Sequence, residues 1–237
     1  MDEIQSEFKD ILPYSGYMII GTILTFATIL GSFLNFVSIF IFYKRRILRR
    51  PTNYFVMNLA VLDFIMSIFG IPMAAVASFN TRWIFCQKGC IYYGFLMTFI
   101  GLNNITILSV IAVSRYIVIV KPQYRIHKRS AIILILASCF SSFVMAAFPL
   151  IGWSSYTLEG AGTSCSVNWR SNGPKDVSIN LVLIILYYLI PIAIFLFSYI
   201  SIYKKVKTDM CNQSQVSGRN TNAEYDVAKV MLVCKCF

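Results

Sequence analysis

Five long apolar stretches, each broken by at most one charge, set the rhythm of the chain. Residues 17–43 carry no charge, 53–80 only Asp63, 91–120 only Arg115, and 131–153 and 177–203 none. A bilayer core about 30 Å thick is crossed by about 20 apolar residues in a helix, so each stretch is long enough to span it. A sixth stretch starts near Val227 and stops at Phe237. At about 1.5 Å per residue it reaches roughly halfway, so the chain is expected to end within an unfinished span. The pattern predicts an all-α transmembrane bundle of five complete spans and part of a sixth.

The polar positions between the stretches give the topology. Lys44, Arg45, Arg46, Arg49 and Arg50 follow the first span; Lys121, Arg125, Lys128 and Arg129 follow the third; Lys204, Lys205 and Lys207 follow the fifth. The opposite connections hold fewer cations, Arg82 and Lys88, then Arg170 and Lys175. Because basic loops stay cytoplasmic, the amino terminus is expected outside. Residues 1–16 read as an extracellular terminus, 17–237 as the membrane domain, and 204–226 as a flexible cytoplasmic loop in which Ser, Asn and Gly recur from Asp209 to Glu224. Asp2, Glu3, Glu7 and Asp10 stand where a secretory signal would be basic and then apolar, so the first span is expected to serve as its own insertion signal.

Composition sharpens this picture in one respect. The net charge of +11 would suggest nucleic acid on a soluble domain, but 57% hydrophobic and 13% charged residues leave too few charges for a solvated surface. The seven cysteines show no zinc spacing, so neither metal nor nucleic acid is expected. No phosphate loop or metal-binding helix motif is present, and the single histidine, His127, falls in a cytoplasmic loop, so no enzyme is expected.

Polar groups inside spans are costly and therefore informative. Asp63 is expected to face the bundle and meet Asn35, Asn58 or water, within a network that also takes in Asn104. In the third span Tyr93, Met97, Gly101, Asn104, Leu108, Ile111 and Arg115 recur at steps of three or four. That spacing predicts one interior stripe, with Leu108 and Ile111 as ordinary core. Cys90 heads this span on the outer side and Cys165 lies in the next outer loop; pairing them would pin that loop across the bundle mouth, with Cys86 as a competitor.

These residues resemble those of a rhodopsin-like (class A) G-protein-coupled receptor. The likeness rests on "GSFLN" ending at Asn35, "NLAVLD" ending at Asp63, Cys90 at the head of span three, "SRY" at Ser114–Tyr116, and Pro191 and Tyr199 in "IPIAIFLFSY". Within that group, "GWSSYTLEGAGTSCSV" from Gly152 resembles the second extracellular loop of animal opsins. The resemblance implies a seven-helix fold, a β-hairpin lid in that loop, retinal as ligand and a Cys90–Cys165 disulfide. It implies that Glu159 is counterion to a protonated Schiff base, because Tyr93 occupies the span-three position where vertebrate visual opsins carry an acid. Tyr93, Met97, Thr98, Gly101, Tyr187 and Tyr188 would line the pocket. Ser114, Arg115, Tyr116 and Tyr199 would form the switch toward a heterotrimeric G protein, with membrane lipid and a receptor dimer as further partners.

Three departures qualify the resemblance. Ser114 replaces the acid that usually precedes the arginine, so the inactive state is expected to be less restrained. Cys139 stands where span four commonly has tryptophan, which is expected to loosen lipid or sterol packing. The retinal lysine of opsins lies in span seven, beyond Phe237, and Lys229 and Lys235 are poor substitutes. The alternatives are a class A receptor for a diffusible ligand, or a non-signalling fragment that regulates full-length partners. A folded chain is expected at the plasma membrane, and a misfolded one in the endoplasmic reticulum.

Overall fold

The computed structural model describes residues 12–45, 50–124 and 126–217, with side chains as far as Met210. Arg46, Arg49, Arg125, the acidic start of the chain, the remainder of the tail to Glu224 and the sixth stretch with Lys229 and Lys235 lie outside the described residues. Five helices within the described part are long and apolar enough to cross a membrane. Helix α1 is Tyr14–Lys44, α2 runs from Asn53 to Phe79, α3 is Gln87–Val120, and α4 is Lys128–Ala147 with a closing 3-10 turn, Phe148–Ile151. Strands β1 (Tyr156–Glu159) and β2 (Ser164–Val167) form an antiparallel hairpin. Helix α5 comprises Pro174–Ile184, a π turn at Ile185–Leu189, and Ile190–Ser217.

The expected loop after span five is helical as far as Ser217. No glycine or proline interrupts the chain before Gly218, and Lys205 pairs with Asp209 one turn on at 2.7 Å, a spacing that favours helix.

Two helices widen at matching places. In α2 the π turn Met66–Gly70 stands just before Pro72, and in α5 the π turn stands just before Pro191. A proline has no N–H for the carbonyl four residues back, here Ile68 and Tyr187. The turn answers by shifting to bonds five residues back, Ile71 N–H to Met66 O and Ile190 N–H to Ile185 O.

Helix α3 is the axis of the bundle, touching α2, α4, α5 and both strands. Its 34 residues extend about 50 Å at about 1.5 Å each, longer than the hydrocarbon core, so it must tilt or project. Three apolar clusters surround it. One joins Ala74, Ala77, Trp83, Cys90, Tyr93, Leu158 and Cys165 at the outer end; a second joins Met145, Tyr156, Val167, Ile179, Leu183 and Tyr187; a third, of Phe55, Ile107 and Ala131, lies toward the inner end. Large apolar side chains elsewhere, such as Phe26 and Phe33 on α1 and Ile133, Leu136 and Phe140 on α4, are exposed. On a membrane-spanning helix these are the lipid face.

Burial varies along the α3 stripe. Leu108 is 44% exposed, while the neighbouring positions Ile100, Asn103 and Ile107 are completely buried. Among the described residues α2 and α4 cover Asn103 and Ile107, and none covers Leu108 fully.

Candidate functional site

The hairpin follows from its turn. Gly160 and Gly162 adopt positive φ, 58° and 72°, a region that glycine enters freely, and Gly162 N–H closes the turn on the Glu159 carbonyl at 3.0 Å. The register pairs Tyr156 with Val167, Thr157 with Ser166, Leu158 with Cys165, and Glu159 with Ser164. Side chains alternate faces along a strand. Tyr156, Leu158, Cys165 and Val167 therefore form one face, which is buried, while Thr157, Glu159, Ser164 and Ser166 form a polar, half-buried face.

Four attachments hold the buried face down. Cys90 and Cys165 form a disulfide, and Cys86 is free and exposed. Tyr17 at the top of α1 donates its hydroxyl to Ala161 O at 3.1 Å, reaching the hairpin turn. Trp153 Nε1 donates to Ser178 Oγ at 2.7 Å, fastening the loop before β1 to α5. Tyr156 donates to Ala146 O on α4 at 2.8 Å and receives a bond from the Thr98 hydroxyl on α3. Its ring lies directly over Gly94, where any Cβ would collide with it, so the glycine permits the close approach.

Burial pushes the Tyr156 phenol up to about 12, from an ordinary 10.0. The neutral form is thus favoured by folding, and its contribution is intact below about pH 10 and lost as pH rises toward 12. An alkaline titration followed by Trp153 and Trp169 fluorescence should report hairpin loosening in that window. Tyr156→Phe should reduce the loss in that window while lowering stability at neutral pH by about 1 kcal/mol, the usual worth of one hydrogen bond.

Below the hairpin lies a cavity of about 300 Å³. Its polar and aromatic lining is Thr98, Ser166, Trp169, Tyr187 and Tyr188; its apolar lining is Leu102, Ile105, Val167, Leu183 and Ile184. The α5 π turn carries Tyr187 and Tyr188, and both reach this space. Of the residues expected to line a pocket, Thr98, Tyr187 and Tyr188 do so here. Tyr93, Met97 and Gly101 do not: Tyr93 packs edge-on to Trp83 beside the disulfide, Met97 lies against Gly70, and Gly101 faces open space. Glu159 is not among the lining residues; its carboxylate accepts from the hydroxyl of Ser166, which does line the cavity. The Tyr93 phenol is within electrostatic reach of the same carboxylate. Ser166 and Trp169 were not foreseen; only the strand alternation around Glu159 could have indicated Ser166.

The intramembrane polar groups fall into two sets. Asp63 Oδ1 accepts from Asn104 Nδ2 at 2.6 Å, joining α2 to α3. Asn58 does not serve Asp63; its Oδ1 accepts from Asn103 Nδ2 at 2.9 Å, and Asn103 Oδ1 accepts from Ser138 at 2.8 Å. Asn58 Nδ2 also reaches Cys139 Sγ at 3.9 Å, so Cys139 borders a polar junction of α2, α3 and α4 as well as lipid. Asn35 turns to its own helix, donating to Gly31 O at 2.9 Å. Toward the inner end Ser114 is buried and donates to Val110 O at 2.7 Å. Tyr116 packs on Phe197 with ring centres 5.4 Å apart, and Tyr199 stacks with Phe195 at 6.5 Å. Among the described residues no cluster of His, Cys, Asp or Glu could hold a metal.

The model of the 7 transmembrane receptor (rhodopsin family) matches residues 34–237. The chain is 37% identical over 219 residues to a G0-coupled rhodopsin of Mizuhopecten yessoensis, covering 91% of this chain and 54% of that protein. It is 31% identical over 237 residues to the visual pigment-like receptor peropsin of Homo sapiens, covering 98% and 70%. Among solved structures, squid rhodopsin superposes with a TM-score of 0.78 at 31% identity, covering 88% of this chain and 61% of that one. The chain thus spans about half the length of that G0-coupled rhodopsin, 54%.

Proposed function

The chain belongs to the rhodopsin family of seven-transmembrane receptors, and within it to the opsins; on that footing we propose that the whole protein senses light through retinal and activates a heterotrimeric G protein. It is a multi-pass membrane protein of a receptor family rather than an enzyme family. The observation that carries the reading is the placement of Glu159. On a hairpin fixed by the disulfide, this carboxylate is hydrogen-bonded to Ser166, which lines a cavity walled by aromatic and aliphatic side chains.

The residues present suit such a ligand. A polyene needs apolar and aromatic walls, which Leu102, Ile105, Leu183, Ile184, Tyr187 and Tyr188 offer; a cationic end needs an anion, which the half-buried Glu159 offers. Retinal, when bound, supplies absorption of visible light and a change of shape. The chain's own part is to hold the ligand against α3 and α5, keep water out beneath the hairpin, and pass any shift along α3. At the inner end Arg115, Tyr116 and Tyr199 and the basic loops would meet the G protein, with the amino terminus outside. Asn35, Asp63 and Asn104 would steady the packing between these ends.

The full-length receptor, supplied with retinal in membranes, tests the reading. A visible absorption band that bleaches or shifts on illumination is expected. Glu159→Gln should move or abolish that band at pH 7 while leaving the Cys90–Cys165 bond intact by peptide mapping. No band in the wild-type receptor would instead favour a diffusible ligand in the same cavity.

A further inference from the structure

We propose that the inner end of α4 binds an anionic phospholipid, with Lys128 and Arg129 on its headgroup and one acyl chain along the helix. Nothing in this depends on what fills the outer cavity.

The headgroup site is built where α2 and α4 meet. Phe55 and Ala131 are completely buried in one cluster there. Tyr54, next to Phe55, lies under Lys128, about one turn before Ala131, with Nζ 5.5 Å from the ring centre. The face of an aromatic ring attracts a cation, so Lys128 is held at the α2–α4 seam. Arg129 and Ser130 follow it, both exposed. The first turn of α4 contains no acid, and among the described residues neither Lys128 nor Arg129 forms a salt bridge. Two adjacent cations thus stand at the membrane boundary with no described carboxylate to neutralise them.

The helix above them indicates which anion fits. Lys128, Ile132, Leu136 and Phe140 recur at steps of four, which places them on one slanting ridge. All four are exposed, Leu136 and Phe140 by 62% and 71%. The twelve residue steps from Lys128 to Phe140 cover about 18 Å, close to half of a bilayer core about 30 Å thick. One acyl chain of one leaflet spans that half. A small soluble anion would use the two cations and leave the ridge idle, whereas a phospholipid uses both. A zwitterionic lipid would bring its own cation against Lys128 and Arg129. An acidic headgroup does not, and basic clusters beside membrane helices attract such lipids. Arg129 can grip a phosphate with two parallel N–H bonds, and Lys128 adds a point charge. Bound there, the lipid would join the inner ends of α2 and α4 through Tyr54, Lys128 and its own headgroup.

Native mass spectrometry of the full-length receptor in detergent, titrated with dioleoyl phosphatidylserine, tests the site. Wild type is expected to retain this lipid in preference to dioleoyl phosphatidylcholine. A cation beside an acidic lipid is worth about fivefold in affinity, so Lys128→Gln with Arg129→Gln should weaken retention about 25-fold. Lys128→Arg with Arg129→Lys should preserve it. Lys121→Gln removes an exposed cation at the end of α3 and should leave retention unchanged. Equal retention of the two lipids, or a loss in Lys121→Gln as large as in Lys128→Gln, overturns the proposal. Mapping of the Cys90–Cys165 bond checks folding. If the double variant does not fold, Arg129→Gln replaces it, with about a fivefold loss expected and no loss overturning the site.

Two further arms separate the parts. Tyr54→Leu should weaken retention in the wild-type background and have no effect in Lys128→Gln, because the ring acts through the lysine; an effect that persists there overturns the seam's role. Soluble glycerophosphoserine should displace the bound lipid far less well than phosphatidylserine does. Equal displacement would overturn the lipid assignment, leaving a site for the headgroup alone.

Discussion

Cys165→Ser is expected to be the most damaging single substitution in the described chain. The Cys90–Cys165 bond closes a loop of 75 residues, worth about 4.5 kcal/mol in the chain-entropy model. The loss does not stop there. Both sulfurs are nearly inaccessible, packed with Trp83, Tyr93 and Leu158. A serine hydroxyl in that apolar cluster would add about 1–3 kcal/mol unless it finds a partner. Cys90→Ser should be equally harmful, and the double variant little worse than either single one, since only one bond is at stake. Thermal unfolding followed by a thiol-reactive dye would show this, with Cys86→Ser as the silent exposed control. If Cys86→Ser were as harmful, the pairing would be shared.

Asn103→Leu should follow in size. Asn103 is fully buried and serves both Asn58 and Ser138, so one residue ties α3 to α2 and α4. Interhelical hydrogen bonds within bilayers average about 0.6 kcal/mol and reach about 1.7. Two bonds therefore bracket the loss between about 1.2 and 3.4 kcal/mol. The upper part of that range is expected, because the orphaned Asn58 Oδ1 and Ser138 hydroxyl would have no bulk water to turn to. Ser138→Ala breaks only one of these bonds and should cost about half as much. A detergent denaturation series read by circular dichroism would separate the two. Equal losses would mean that Asn103 does not act as a shared centre.

The spans were legible because the signal for a membrane helix is long and redundant. Twenty apolar residues in a row survive any single substitution, and each observed helix matches its expected stretch to within a few residues at the ends except for the longer inner end of α5. Three-dimensional pairing carries no such redundancy. Asp63 was readable as a group needing a partner and Asn104 as a member of its network, and the two are bonded; Asn58 turns instead to Asn103, through packing that no local pattern records. A step of three or four likewise defines a stripe, not the direction in which it faces.

The hairpin shows the opposite case. Glu159 was found through a motif, yet Ser166 was not, because naming a cross-strand neighbour requires the register. That register follows from where Gly160 and Gly162 make the turn. Moving the turn by one residue would put Ser166 on the buried face and Val167 beside Glu159. Tyr93 illustrates a third limit. Its ring packs edge-on to Trp83 with centres 5.3 Å apart, a contact that spacing along α3 does not record.

The two widened turns also have a bearing on how such a bundle could change over generations. A π turn holds a residue that a regular helix would not need, so a one-codon deletion within Ile185–Leu189 could be absorbed by a return to regular winding. One residue corresponds to about 100° of helical rotation. The half of α5 above the deletion would then swing by that angle against the half below, exchanging the side chains offered to the cavity while the inner half kept its contact with Tyr116 through Phe197. Ligand preference and signalling contacts on one helix could in this way be inherited separately.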